Sequence, residues 1–220
     1  MIDLYNGDCL EIMDKLISDG VKTTYSFTSP PYNRKRNDKY THYRDIRDDW
    51  YEFNCEVIDR LLLMTEKHIF YNIQSNYYNR SDVYKIIGRY SGLIRDIHIW
   101  EKSNPMPAGG KAITNAVEYF IVIGKHSLKS NKTYTKNIIT TSVNSNMPKE
   151  HKAVMKREVV EHFIKNFTQE KDTVLDCFLG YGTTGEVCKT MKRDFIGIEL
   201  SSEYFNIAKD RIENKEVEND

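Results

Sequence analysis

Short apolar runs alternate with helical periods along this chain, and that alternation limits the available folds more than any other feature. Ile2 to Tyr5, Thr23 to Thr28, His68 to Ile73, Leu93 to Trp100, Val117 to Ile123, Thr173 to Phe178 and Phe195 to Glu199 have the length and the β-branched or aromatic content of strands. Between them, apolar residues recur at helical spacing: Leu10, Met13, Leu16 and Ile17; Phe53, Val57, Leu61 and Met64; Val159, Val160, Phe163, Ile164 and Phe167. Strands that are this apolar, separated by helices, predict an α/β domain whose mostly parallel sheet is covered on both faces. In such sheets ligands bind outside the carboxyl ends of the strands, where the strand order reverses. Chemistry is therefore expected in the loops that follow strands.

At 220 residues with 40% hydrophobic content, the chain can bury the core of one domain, and residues 1–220 are read as a single unit. Lys and Arg total 32 and so do Asp and Glu, so a polyanionic partner would have to be met by local charge. Cys9, Cys55, Cys177 and Cys188 show no CxxC spacing, which predicts reduced thiols in a cytosolic chain rather than a zinc or disulfide scaffold. No segment approaches the ~20 apolar residues of a membrane span. A soluble, cytoplasmic protein without a metal centre is expected.

Two strand-to-loop transitions carry chemistry. In "TVLDCFLGYGTTGEVCKT" an apolar strand runs to Asp176, then Gly180 and Gly182 precede Thr183, Thr184 and a helix. Glycines there let the backbone approach a ligand closely, and the helix start offers unpaired N–H groups. The next strand ends in Glu199, about 20 residues on, the spacing at which nucleotide-binding units present a carboxylate to ribose hydroxyls. No lysine lies inside the loop, so a nucleoside without a triphosphate fits better. The second transition is "FTSPPYNRKR", where the strand Thr23 to Thr28 meets Ser29, Pro30, Pro31 and Tyr32, and then a basic run. The prolines fix φ and lack donors, so they stiffen a loop whose carbonyls stay open as acceptors.

Together these blocks resemble the S-adenosylmethionine-dependent DNA amino-methyltransferases. "DCFLGYGTTG" with "FIGIELSSEYFNIAKDRI" is similar to their cofactor loop and ribose strand, and "TSPPY" to their catalytic [DNS]-P-P-[YF] motif. "LYNGDCLEIM", "WEKSNPMP", "NAVEYFIVIGK" and "HKAVMKREVVEHFIKNF" follow the same pattern, so the resemblance runs from about Ile2 to Ile212. The catalytic loop precedes the cofactor loop, as in the β class, which implies a circularly permuted, Rossmann-like methyltransferase fold. The resemblance implies S-adenosylmethionine as cofactor. Asp176, Phe178, Gly180 and Gly182 would border its methionine part, with Thr183 and Thr184 at the helix start; Glu199 would take the ribose, and Asp8 with Cys9 would lie beside the adenine. His151 and Ala153 would close over the methionine carboxylate. Cys177 stands where the family more often has proline.

Methylating an exocyclic amine requires turning its lone pair out of the base ring and holding the nitrogen in line with the methyl group. The Ser29 hydroxyl and the Pro30 carbonyl are the expected acceptors for the amine, and the face of Tyr32 the expected stacking surface for a base flipped out of the duplex. Serine at the head of the motif favours N4 of cytosine, with N6 of adenine as the alternative. A non-catalytic DNA-binding relative and an RNA or protein amino-methyltransferase are further readings. A C5-cytosine route is disfavoured, because no Pro-Cys dipeptide occurs.

DNA contact is expected from two basic stretches. One runs Arg34, Lys35, Arg36, Lys39, Arg44 and Arg47, with Tyr40, Tyr43, Trp50 and Tyr51 interleaved or following; the other runs from Lys125 to Arg157 with Glu150 as its only acid. The target-recognition insert of the class corresponds to only about 25 residues here, 126–150, too few for a packed domain. Site recognition would then fall to the loop at about 33–49, to a short site, or to a second copy in a homodimer.

Overall fold

The computed structural model describes residues 1–34, 45–110, 112–143 and 154–214. In chain order its elements are β1 (Ile2–Asn6), α1 (Cys9–Ser18), β2 (Thr23–Thr28), α2 (Trp50–Met64), β3 (Thr65–Ile73), α3 (Arg80–Arg89), β4 (Ile94–Lys102), β5 (Val117–Gly124), β6 (Ile138–Thr141), α4 (Arg157–Phe167), β7 (Thr173–Asp176), α5 (Thr183–Thr190), β8 (Asp194–Glu199) and α6 (Ser202–Glu213). One sheet takes the order β1-β8-β7-β2-β3-β5-β4-β6. β5 is antiparallel to both neighbours, and the remaining pairings are parallel.

Period-two alternation sorts side chains onto the two faces. Ile69, Tyr71, Ile73, Ile121 and Ile123 pack with the buried sides of α1, α2 and α3. Phe27, Phe70, Phe120, Val122 and Phe195 face the other way, onto α4, α5 and α6. Phe163 of α4 is fully buried and its ring centre lies 4.4 Å from that of Phe120 and 5.0 Å from that of Phe70, so this face is closed by aromatic packing. The expected α/β class with a mostly parallel, doubly covered sheet is what the structure shows.

Strand order reverses between β7 and β2. From β2 the chain steps one way to β3, while from β7 it steps the opposite way to β8. β7 and β2 pair in parallel through Tyr25↔Val174 and Ser26↔Leu175. Their carboxyl ends therefore open side by side, although about 150 residues separate them along the chain.

Several boundaries differ from the sequence expectation. β7 stops at Asp176, so Cys177 and Phe178 belong to the loop. α3 was not expected: only Val83 and Ile86 of its ten residues are buried, too few to mark a helical period. β6 was not expected either. It lies within the stretch read as a recognition insert, yet it pairs along β4, and Asn131 nearby donates from its backbone to Asn166 O and from its side chain to Lys165 O and Thr168 O. Much of that insert is thus bound to the sheet edge and α4. Among the described residues, no helix is long and apolar enough to cross a membrane.

Candidate active site

The loops after β2 and β7 line one cleft of about 1480 Å³. Thr28, the last residue of β2, donates through Oγ1 to Asp176 Oδ1 at 2.8 Å. Asp176 Oδ1 also accepts from the Phe178 N–H at 3.1 Å, and Oδ2 accepts from Thr184 Oγ1 at 2.7 Å. Burial pushes the Asp176 carboxyl above the usual carboxylate range, and its three donors pull against that shift. Asp176 lines the cleft, but both its oxygens are committed to protein donors. It acts as the joint between the two loops.

Ser29, Pro30, Pro31 and Tyr32 are held from three sides. The buried indole of Trp50 donates from Nε1 to the Pro31 carbonyl at 2.6 Å. Asn76 and Asn79 both donate from Nδ2 to the Tyr32 carbonyl, at 2.8 and 2.9 Å. Just beyond, the Asp45 carboxylate accepts from the N–H groups of Asn33 and Arg34 at 2.7 and 3.1 Å, fixing Asn33 at φ 52. Among the described residues no hydrogen bond engages the Pro30 carbonyl. Trp50, expected among the DNA-facing aromatics, is instead 1% exposed and serves as a post beneath the proline loop.

Side chains on the α4 side of the sheet complete this end of the cleft. Ser29 Oγ donates to Asn72 Oδ1 at 3.0 Å and lies 2.9 Å from the Tyr32 hydroxyl. Tyr32 Oη also contacts Asn72 Oδ1 and donates to Glu118 Oε2 at 2.9 Å. Glu118 Oε1 accepts from Lys102 Nζ at 2.5 Å, and both partners of this ion pair are largely buried. Asn72, Lys102 and Glu118 carry no expectation from the sequence. Lys102 and Glu118 lie inside "WEKSNPMP" and "NAVEYFIVIGK", so the blocks were visible but their meeting point was not.

The glycine loop after β7 has the backbone shape its glycines imply. Gly180 and Gly182 have φ of 54 and 83, the left-handed region. A Cβ on Gly182 would meet Ala208 Cβ at 3.0 Å and Cα at 3.1 Å. Glu199, at the end of β8, accepts from Gly180 N–H through Oε2 at 2.8 Å and from Ser201 N–H through Oε1 at 2.9 Å. Each oxygen keeps a lone pair for a further donor. Burial raises the Glu199 carboxyl as well.

Asp8 caps α1, accepting from the N–H groups of Leu10 and Glu11 at 2.8 and 3.2 Å, and with Cys9 it lines the same cleft. Burial, reinforced by Asp8, pushes the Cys9 thiol up to about 12, so it stands beside the cleft as a neutral group. Phe178, Thr183 and Thr184 are lining residues too. Phe178 packs edge-on to Phe53 at 5.9 Å, and Phe53 is in turn covered by the Arg47 guanidinium at 3.9 Å. His151 and Ala153, together with Tyr40, Tyr43 and the basic residues of 35–44 and 144–153, lie outside the described residues. All four cysteines are buried free thiols, and the described residues contain no cluster of three or more potential metal ligands.

Comparisons with known proteins agree with this arrangement. The type II methyltransferase M2.LlaDCHI of Lactococcus lactis subsp. cremoris is 32% identical over 130 residues, covering 51% of this chain and 48% of its own. The type II methyltransferase M.HinfI of Haemophilus influenzae is 26% identical over 251 residues, covering 95% of this chain and 67% of its own. The chain thus spans about half the length of the first of these curated relatives and two thirds of the second. A solved structure, the M1.HpyAVI–SAM complex, superposes with a TM-score of 0.73 at 27% identity, over 96% of this chain and 99% of the other. A family profile described as DNA methylase, of the N6/N4 type, matches residues 24–210. A match running from β2 into α6, on a chain whose Ser-Pro-Pro-Tyr and glycine loops face one cleft, makes this protein a member of the N6/N4 DNA methylase family.

Proposed function

We propose that this chain transfers the methyl group of S-adenosylmethionine to an exocyclic amine of DNA, with N4 of cytosine as its target. The observation that carries the reading is the Thr28–Asp176 hydrogen bond, which fixes the Ser29–Tyr32 loop and the Asp176–Gly182 loop side by side on one cleft. S-adenosylmethionine fits the residues present. Gly180 and Gly182 allow the left-handed turn that the loop takes beside the cleft, and Glu199 retains acceptor capacity for two ribose hydroxyls. Asp8 and Cys9 would border the adenine, and Phe178 the methionine part. When bound, the cofactor supplies an electrophilic methyl on a sulfonium sulfur.

The chain's own contribution is positioning and a matched polar environment. Ser29 Oγ has a lone pair to accept from the target amine while its proton points to Asn72 or Tyr32, and the Pro30 carbonyl is the second acceptor. Tyr32 is anchored at its hydroxyl and at its carbonyl, so its ring presents a fixed face for a flipped base, a contact worth about 1–3 kcal/mol.

DNA approach is supported by the mouth of the cleft. Tyr77 and Tyr78, 85% and 50% exposed, stand on the loop that Asn76 and Asn79 tie to Tyr32, and Arg34 and Arg80 line the same opening. These rings, rather than Trp50, are placed to meet bases next to the target. The choice of cytosine rests on serine at the head of the motif.

The test is to incubate the purified chain with unmethylated DNA and S-adenosylmethionine, digest to nucleosides and identify the product by mass spectrometry. N4-methylcytosine is the expected product. N6-methyladenine would keep the mechanism and overturn the choice of base, and absence of any methylated nucleoside would overturn DNA methylation by this chain alone.

A further inference from the structure

Methyl transfer to an amine leaves a proton to dispose of, and the serine form of the motif has no carboxylate at its head to take it. We propose that Glu118 is the destination of that proton, reached through Ser29 and Tyr32. The inference rests on the methyltransferase reading above and extends it to residues that reading leaves unused.

The connectivity is direct. Ser29 Oγ lies 2.9 Å from Tyr32 Oη, and Tyr32 Oη lies 2.9 Å from Glu118 Oε2. As the new N–C bond forms, the C–S bond breaks and its electron pair stays on sulfur. The nitrogen then carries one positive charge and a surplus proton. Ser29 Oγ accepts that proton while its own passes to Tyr32 Oη, and the phenol proton passes to Glu118 Oε2. The base leaves neutral and methylated, the serine and tyrosine are regenerated, and Glu118 ends as a neutral acid.

Neighbouring groups define why Glu118 is the end of this path. Asn72 Oδ1 accepts from Ser29 at 3.0 Å and its Nδ2 donates to Tyr119 O at 3.2 Å, so the amide orients the hydroxyls; being no base, it cannot keep the proton. Lys102, from β4, occupies Oε1 at 2.5 Å and so turns Oε2 toward the phenol. Among the described residues Arg34 is also near the path, its guanidinium carbon 6.0 Å from the Tyr32 ring centre. At the start of α4, Lys156 is turned to Ser142 at 3.0 Å and Glu158 at 3.7 Å. Glu118 is 5% exposed, so a carboxylate there without a proton-transfer or orienting role would be a costly feature. It is a positioning residue, acting on the substrate only through Tyr32.

The test measures single-turnover methylation of duplex DNA against pH for the wild-type chain, Glu118→Gln and Tyr32→Phe, with S-adenosylmethionine affinity measured alongside. Wild type is expected to lose rate on the acid side of its profile. Both variants should be slower by roughly 10²-fold, the usual contribution of positioned proton transfer, and should lack that acid limb while binding the cofactor as wild type does. A Glu118→Gln chain with the wild-type rate and profile, or one slowed with the acid limb intact, would overturn the assignment. If Glu118→Gln does not fold, Tyr32→Phe decides, because it keeps the ring and removes only the relay hydroxyl: the wild-type rate there sinks the relay alone. No methyl transfer by the wild-type chain would overturn the methyltransferase reading and the relay with it.

Discussion

Thr28 and Asp176 lie 148 residues apart in the chain and are joined by a 2.8 Å hydrogen bond between Oγ1 and Oδ1 at the reversal point of the sheet. The bond ties the strand end that carries the proline loop to the strand end that carries the glycine loop. Thr28→Val keeps the shape of the side chain and removes the donor, leaving a buried carboxylate short of one partner. Stability is expected to fall by about 1.5–3 kcal/mol, the range for hydrogen bonds to charged groups, and cofactor affinity to fall with it. Urea unfolding and calorimetric titration with S-adenosylmethionine would check both; unchanged affinity would show that the two loops hold their relation without this bond.

Gly182 combines a left-handed backbone with a close approach to Ala208. Gly182→Ala should cost at least about 1–2 kcal/mol for the conformation alone, and more for displacing α6. The same change should weaken cofactor binding, because Gly182 is the N-cap of α5. A variant as stable as wild type would mean that the turn relaxes without strain.

Tyr32→Ala removes the proposed stacking face while leaving the glycine loop intact. Turnover on DNA is expected to drop by at least 10-fold, the equivalent of about 1.4 kcal/mol, with S-adenosylmethionine affinity retained. Full activity in this variant would exclude the stacked-base arrangement.

Trp50→Phe deletes the Nε1–H that supports the Pro31 carbonyl at 2.6 Å in a buried setting. Leaving that acceptor unsatisfied should lower stability by about 1–3 kcal/mol and slow methylation more than it weakens cofactor binding. Loss of cofactor affinity with an unchanged rate would place Trp50 in support of the other loop.

His98, buried, and His162, half-buried, lie on the α4 side of the sheet and influence one another electrostatically. His162 is held down to about 4, first by burial and then by His98 and Lys132, and His98 is lowered mainly by burial. Their ordinary value is near 6.5, so above that pH both states are neutral and the contribution to stability is fully present. As pH falls from about 6.5 toward 4, the unfolded chain binds protons that the folded chain refuses, and stability is lost. Thermal unfolding should move to lower temperature over that window. His162→Phe, which replaces a ring whose Nε2 has no hydrogen-bond partner among the described residues, should flatten the dependence.

What the sequence determined by itself was local. Runs such as Thr23 to Thr28 and the period of Val159, Phe163 and Phe167 report strand and helix because burial on a pleat or a helix face requires those spacings, and both elements appear within a residue or two of the expected limits. The glycine and proline loops were legible for a similar reason: left-handed turns and fixed φ values need particular residues at particular places. β6 and α3 were not legible, because a four-residue strand with one buried isoleucine and a helix with two buried residues carry too little periodic signal. Tertiary structure decided the rest. Only the β7–β2 pairing brings Thr28 to Asp176, and only the β4–β5 register, with Trp100 opposite Glu118, brings Lys102 to Glu118 and both to Tyr32. Trp50 looked like a DNA-facing ring in the sequence, and it became a buried post because α2 folds beneath the proline loop. Hydrogen bonds and ion pairs act over about 3 Å, and which residues come that close is a property of strand order rather than of any spacing along the chain.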